Sequence, residues 1–167
     1  MYDVGDKVVY PHHGAGTVVK KEKREVLGQQ REYLTIKILH NDMTVQVPSE
    51  NADAVGLRRV IGEKEVGVVL KALTGVSTEM PKNWNRRFKH NRDKMKTGDI
   101  LELAEVVRNL ALRDREKGLS TGEKQMFVKA KKILASELMY AKGFDEDGAA
   151  AWLDEVLTEA VTPAVAG

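Results

Sequence analysis

The spacing of apolar positions along the chain changes period near residue 60. "KVVY" at 7–10 is a short β-rich run, and the "PHHGAG" that follows reads as a turn. "TVVKKEKRE" at 17–25 continues as a second strand, and "LGQQ" supplies the glycine of the next turn. In "REYLTIKIL" at 31–39, Leu34, Ile36 and Ile38 alternate with Tyr33, Thr35 and Lys37, the period of a half-buried strand. "HND" leads into "MTVQV" at 43–47, with Met43, Val45 and Val47 on one face, and "GLRRV" at 56–60 reads as a fifth strand. Five short strands joined by tight turns predict a small, strongly bent antiparallel barrel.

Beyond residue 60 the period becomes helical. "EKEVGVVLKAL" at 63–73 predicts a short helix, and "TGVSTEM" at 74–80 a linker. "PKNWNRRFKHNRDKM" at 81–95 predicts a second helix, with Pro81 in its first turn and Gly98 beyond its end. Asp99 and Glu102 open a third, whose buried stripe is Ile100, Leu103, Ala104, Val107, Leu110 and Ala111. Ser120 and Glu123 open a fourth, with Met126, Phe127, Ala130, Ile133, Leu134 and Leu138 inside. "DEDGAAAWLDEVLTEA" at 145–160 predicts the last, with Trp152 in the core, and 161–167 a disordered tail. The expected class is α+β: an N-terminal antiparallel β-barrel over 1–60, then an all-α helical bundle over 61–160.

Charge sharpens this division. Residues 1–81 hold 11 Lys/Arg and 11 Asp/Glu, residues 82–132 hold 15 and 7, and residues 133–167 hold 1 and 7. The segments are therefore neutral, net +8 and net −6, although the whole chain is only +2. A basic middle interleaved with aromatics points to an anionic partner, nucleic acid above all. The neutral front favours a protein surface over a phosphate backbone. No apolar run approaches the roughly 18 residues of a membrane span, and no signal-peptide core is expected at the N-terminus. The chain has no cysteine, which excludes disulfides and thiolate metal sites and suits a reducing cytoplasm.

Enzymatic chemistry has no visible carrier. His12 and His13 are adjacent, so their side chains diverge, and His40 and His90 stand alone; none forms a set at metal spacing. Phosphate-binding glycine loops, nucleophile elbows and dinucleotide fingerprints are absent. The reading is a binding protein without cofactor or metal. The opening strand–turn–strand fits either an RNA- or ribosome-contacting barrel of the KOW type or a protein-docking barrel of the Tudor type.

The basic stretch itself poses the sharpest question. On a helix, Trp84 and Phe88 share one face, among Lys82, Arg86, Arg87, Lys89, Arg92 and Lys94. A tryptophan on an amphipathic helix is ordinarily core. The basic flank makes Phe88 the better core candidate and leaves Trp84 open between core and surface. Lys82, Arg86, Arg87, Lys89 and Lys124 are the candidate DNA contacts.

Five stretches carry a resemblance: "VGDKVVYPHHGAGTV" at the front, "TVQVPSENADAVGLR" at 44–58, "NWNRRFK" at 83–89, "DILELAEVVRNL" at 99–110 and "GLSTGEKQMFVKAKKIL" at 118–134. In this order they resemble the CarD family of bacterial transcription regulators, over nearly the whole chain except the tail. The resemblance implies a Tudor/SH3-like N-terminal domain that docks on the β subunit of RNA polymerase. It also implies a helical domain that touches promoter DNA, in the minor groove, at the upstream edge of the melted bubble. By the same resemblance Trp84 is the conserved tryptophan, Lys89 its basic neighbour and Arg24 a docking arginine; together with the basic flank, this makes partial exposure the expectation for Trp84. Thr44, Val45 and Gln46 lie on the docking strand, where Gln46 departs from the family's usual arginine. The implied protein is a cytoplasmic monomer that stabilises the open promoter complex.

Overall fold

The computed structural model describes residues 2–11, 13–39, 42–75 and 81–161. Its N-terminal part is one antiparallel sheet. Strand β1 (Lys7–Tyr10) pairs with β2 (Gly14–Val26), β2 with β3 (Gln29–Ile38), and β3 with β4 (Thr44–Pro48). The two-residue β5 (Arg58–Arg59) pairs with the other side of β1, so the order is β4-β3-β2-β1-β5. The alternation anticipated along β3 holds at its inner face: Leu34, Ile36 and Ile38 join Val8, Val18, Val47, Ala52 and Leu57 in one apolar core. A register break between Val18 and Lys20 puts a bulge in β2, which bends a strand and increases its twist. At Gly16 a Cβ would lie 2.5 Å from the Lys37 carbonyl oxygen. Only glycine fits there.

β2 and β3 outrun their neighbours. β1 covers β2 only at 14–17 and β4 covers β3 only at 33–37, so 20–26 and 29–32 project as a two-stranded hairpin. Its tip, Leu27–Gly28, has positive φ at both residues (52° and 77°), the conformation of a type I′ turn.

Among the described residues five helices follow: α1 (Glu63–Leu73), α2 (Trp84–Lys96), α3 (Ile100–Glu116), α4 (Thr121–Lys142) and α5 (Glu146–Val161). The α+β class expected from the periodicities is thus the observed one. α3 is central, buried continuously from Val106 to Ala111 and packed among residues of α1, α4 and α5 in a second core. Ser120 caps α4 through a complete capping box with Glu123, and Gly143 ends it in the left-handed conformation.

α4 also ties the helices to the sheet. The Ala15 N–H donates to Ser136 Oγ at 2.9 Å, and the Thr17 and Tyr140 hydroxyls are 2.6 Å apart. Glu137, 1% exposed, accepts from both Nη atoms of Arg58 at 2.6 and 2.7 Å and from the Ile61 N–H at 2.8 Å. A buried carboxylate needs such saturation, because an unpaired one costs several kcal/mol.

Several local expectations change. β2 starts at Gly14, not 17, because "GAG" pairs with β1 and carries the contact to Ser136. α2 starts at Trp84, so Pro81 lies outside it. The cap is Asn83, whose side chain accepts from the Arg86 N–H at 3.2 Å. Met43 precedes β4 and is exposed. Trp152 is half-buried, between Lys142 and Phe144, rather than fully in the core. Ser49–Asn51 forms a 3-10 turn that the periodicity did not reveal. His12, His40, most of the expected linker and residues 162–167 lie outside the described residues.

Candidate nucleic-acid interface

At the start of α2 the four-residue spacing brings Trp84 and Phe88 together, their rings stacked at 5.3 Å between centroids and 20° between planes. Phe88 leans on the helical core while Trp84 stays 43% exposed. Trp84 is nevertheless held. Its Nε1–H donates to Ser120 Oγ at 2.7 Å, and Ser120 is the residue that caps α4. Gly122, the second residue of α4, gives the rings room. A Cβ there would lie 3.3 Å from Phe88 Cε2 and 3.6 Å from Trp84 Cζ2.

Beneath the indole lies a buried ion pair. Glu123, 1% exposed, accepts from Arg87 Nε at 2.9 Å and Nη2 at 3.2 Å, and Ser120 Oγ donates to its Oε1 at 3.0 Å. Burial favours the neutral acid, but the bonds from Arg87 and Ser120 outweigh it and hold the carboxyl below its ordinary value. Arg87 also donates from Nη1 to the Lys82 carbonyl at 3.1 Å, and only 3% of its surface is exposed. This removes Arg87 from the candidate DNA contacts: its charge is spent on Glu123 inside the protein. A basic run gives no sign of which cation faces inward, because only the α2–α4 packing decides it.

The remaining candidates form a consistent set. Lys82, Arg86, Lys89 and Lys124 are exposed, and among the described residues none of the four is in an ion pair. Arg86 and Lys89 lie on α2, Lys124 on α4, and Lys82 in the segment just before α2. Sequence reasoning missed Ser120 and Gly122 as parts of this site. The capping box marked Ser120 only as a helix start, and nothing local ties it to a ring 36 residues away.

The second set lies on the sheet. Arg24 on β2 donates from Nε to Glu22 at 2.5 Å and from Nη1 to Gln46 Oε1 at 3.0 Å, and its guanidinium stands 5.6 Å from the Tyr33 ring centre. The structure therefore brings Arg24 and Gln46 together across β3. Hydrogen bonds from Lys20 and Arg24 push the Glu22 carboxyl down to about 2. Thr44 and Gln46 are exposed and Val45 is half-buried on β4, one edge of the sheet. Edge strands present unpaired backbone groups to a partner.

Among the described residues no group of three or more His, Cys, Asp or Glu side chains is arranged to hold a metal. No described helix is long and apolar enough to cross a membrane.

Comparison with known proteins agrees with this two-part arrangement. Residues 2–61 match the CarD-like/TRCF RID domain family, and residues 68–154 match the CarD C-terminal domain family. A Bacillus subtilis (strain 168) protein described as a putative transcription factor, YdeB, is 36% identical over 146 residues, covering 87% of this chain and 95% of its own. The solution structure of the N-terminal domain of Myxococcus xanthus CarD is 34% identical over 35% of this chain and 79% of its own, with a TM-score of 0.31. Two family matches in chain order, and a full-length relative at this identity, place the chain in the CarD family.

Proposed function

We propose that this chain is a transcription regulator, without enzymatic activity, that docks on the β subunit of RNA polymerase and stabilises the open promoter complex. Residues 1–60 are the docking unit. Residues 61–160 hold DNA, in the minor groove, at the upstream edge of the bubble. Membership of the CarD family supports the regulatory role. The observation that carries the mechanism is the exposed indole of Trp84, fixed at its N–H by Ser120, on a basic segment whose Lys82, Arg86 and Lys89 are exposed.

The physics follows from that arrangement. A flat ring presented from a rigid support can enter a base step from the minor groove, offsetting an unstacking cost of a few kcal/mol. Lysines and arginines around it hold phosphates without reading sequence. Phosphate contacts carry no sequence information, so selectivity comes from DNA shape and from where polymerase stands. Docking through β4 and the Arg24–Gln46 patch raises the local concentration of the ring at the promoter, so a weak DNA contact suffices.

Trp84→Ala tests this reading on purified protein. The variant is expected to bind polymerase as before and to lose its effect on open-complex lifetime. Its loss of stability should fall well short of the about 3–5 kcal/mol of a core tryptophan. Undiminished open-complex lifetime would refute the wedge, and a core-sized loss of stability would return Trp84 to a packing role.

A further inference from the structure

Beside the Trp84–Phe88 stack, α2 and α4 leave an open groove of about 260 Å³. Its floor is Phe88, Met95 and Met126, and its rim is Arg92, Gln125 and Lys129. No carboxylate lines it. Arg92 stands over the Phe88 ring at 5.9 Å, and neither Arg92 nor Lys129 is in an ion pair with a described residue. The volume lies below the roughly 300–1,000 Å³ of pockets that enclose drug-sized ligands, so the groove suits one small planar group.

We propose that this groove is a subsite for a single unpaired nucleotide, the one that leaves the duplex next to Trp84. The inference rests on the proposed placement of DNA at Trp84. An aromatic and thioether floor with cations on its rim is the composition that binds single strands: bases stack on the floor and phosphates pair with the rim. Gln125 adds one donor group and one acceptor for a base edge. The charge is complementary to nucleic acid, and the floor continues from the ring proposed to open the helix. The wedge would then have a receiver: the base displaced at Trp84 stacks on protein as it leaves the duplex.

The test uses the full chain without polymerase. A duplex with a short single-stranded tail, carrying 2-aminopurine at the first unpaired position, is compared with the blunt duplex by fluorescence anisotropy at low salt. The tailed duplex is expected to bind about tenfold tighter, the effect of one stacked base, and 2-aminopurine emission is expected to drop on binding. The double variant Arg92→Ala with Lys129→Ala alters two exposed side chains and should abolish most of that preference. Equal binding of the two duplexes, or an equal loss on both in the double variant, would overturn the subsite. Either result leaves the proposed function standing. That reading falls instead if Trp84→Ala preserves open-complex lifetime in the assay with polymerase.

Discussion

Arg86 and Arg87 are neighbours of the same type, yet the structure gives them opposite work. Arg86 is exposed, whereas Arg87 is the buried partner of Glu123. Removing Arg87 takes the hydrogen-bonded cation from buried Glu123 and leaves it Arg113 at 3.7 Å and Ser120, so Arg87→Ala is expected to lose about 3 kcal/mol of stability, the lower end for a broken buried pair. Arg86→Ala should stay within about 0.5 kcal/mol and weaken DNA binding instead. Chemical denaturation beside a DNA titration separates the two, and equal behaviour would contradict the assignment. The Glu123 carboxyl, held below its ordinary value, adds a pH dependence. Its contribution is complete above the unfolded carboxylate value of about 4.3 and is lost as pH falls through the lower folded-state value. The melting temperature of Glu123→Gln should therefore lie furthest below that of the native chain at neutral pH, and the gap should narrow under acid.

Each element carries a balance between order and use. The β2–β3 turn holds Leu27 at φ 52° and 99% exposed, where a γ-branched residue gains nothing from burial and suffers left-handed strain of about 1–2 kcal/mol. Asn followed by Gly suits a type I′ turn. Leu27→Asn should raise stability by about 1 kcal/mol, which denaturant melting would read; a loss would exclude strain at this turn. On α2 the exposed cations Arg86, Lys89 and Arg92 predict steep salt dependence of DNA binding through counterion release. Lys89→Ala should reduce the slope of log K against log salt by about 1. These elements were largely legible in the sequence, because period-two and period-3.6 burial is written directly into Leu34–Ile36–Ile38 and into Leu103–Val107–Leu110. What was not legible is tertiary. That Arg87 turns inward and that Ser120 holds an indole each depend on partners distant in sequence. A short motif records its own backbone preference and nothing about the surface that arrives to meet it.

At the scale of the whole molecule, α4 joins two surfaces. Its N-terminal cap holds Trp84, and its second half grips β2, β5 and Ile61 through Ser136, Glu137 and Tyr140. Glu137→Ala removes the acceptor shared by both Arg58 Nη atoms and the Ile61 N–H, leaving Arg58 its bonds to the Gly98 and Arg59 carbonyls. Sheet and helices should then melt in two separate calorimetric transitions where the native chain is expected to melt in one; a single transition in the variant would show that the remaining contacts suffice. With 22 residues at about 1.5 Å each, α4 is a strut of about 33 Å with its ends committed to different neighbours. Under the proposed docking it acts as a ruler. Polymerase fixes one end, and the indole then reaches a single step of the double helix. One inserted base pair moves that step about 3.4 Å along the axis and about a tenth of a turn around it. The protein would thus sense the phase of a promoter, the offset between where polymerase sits and where the strands part, without recognising any of its letters.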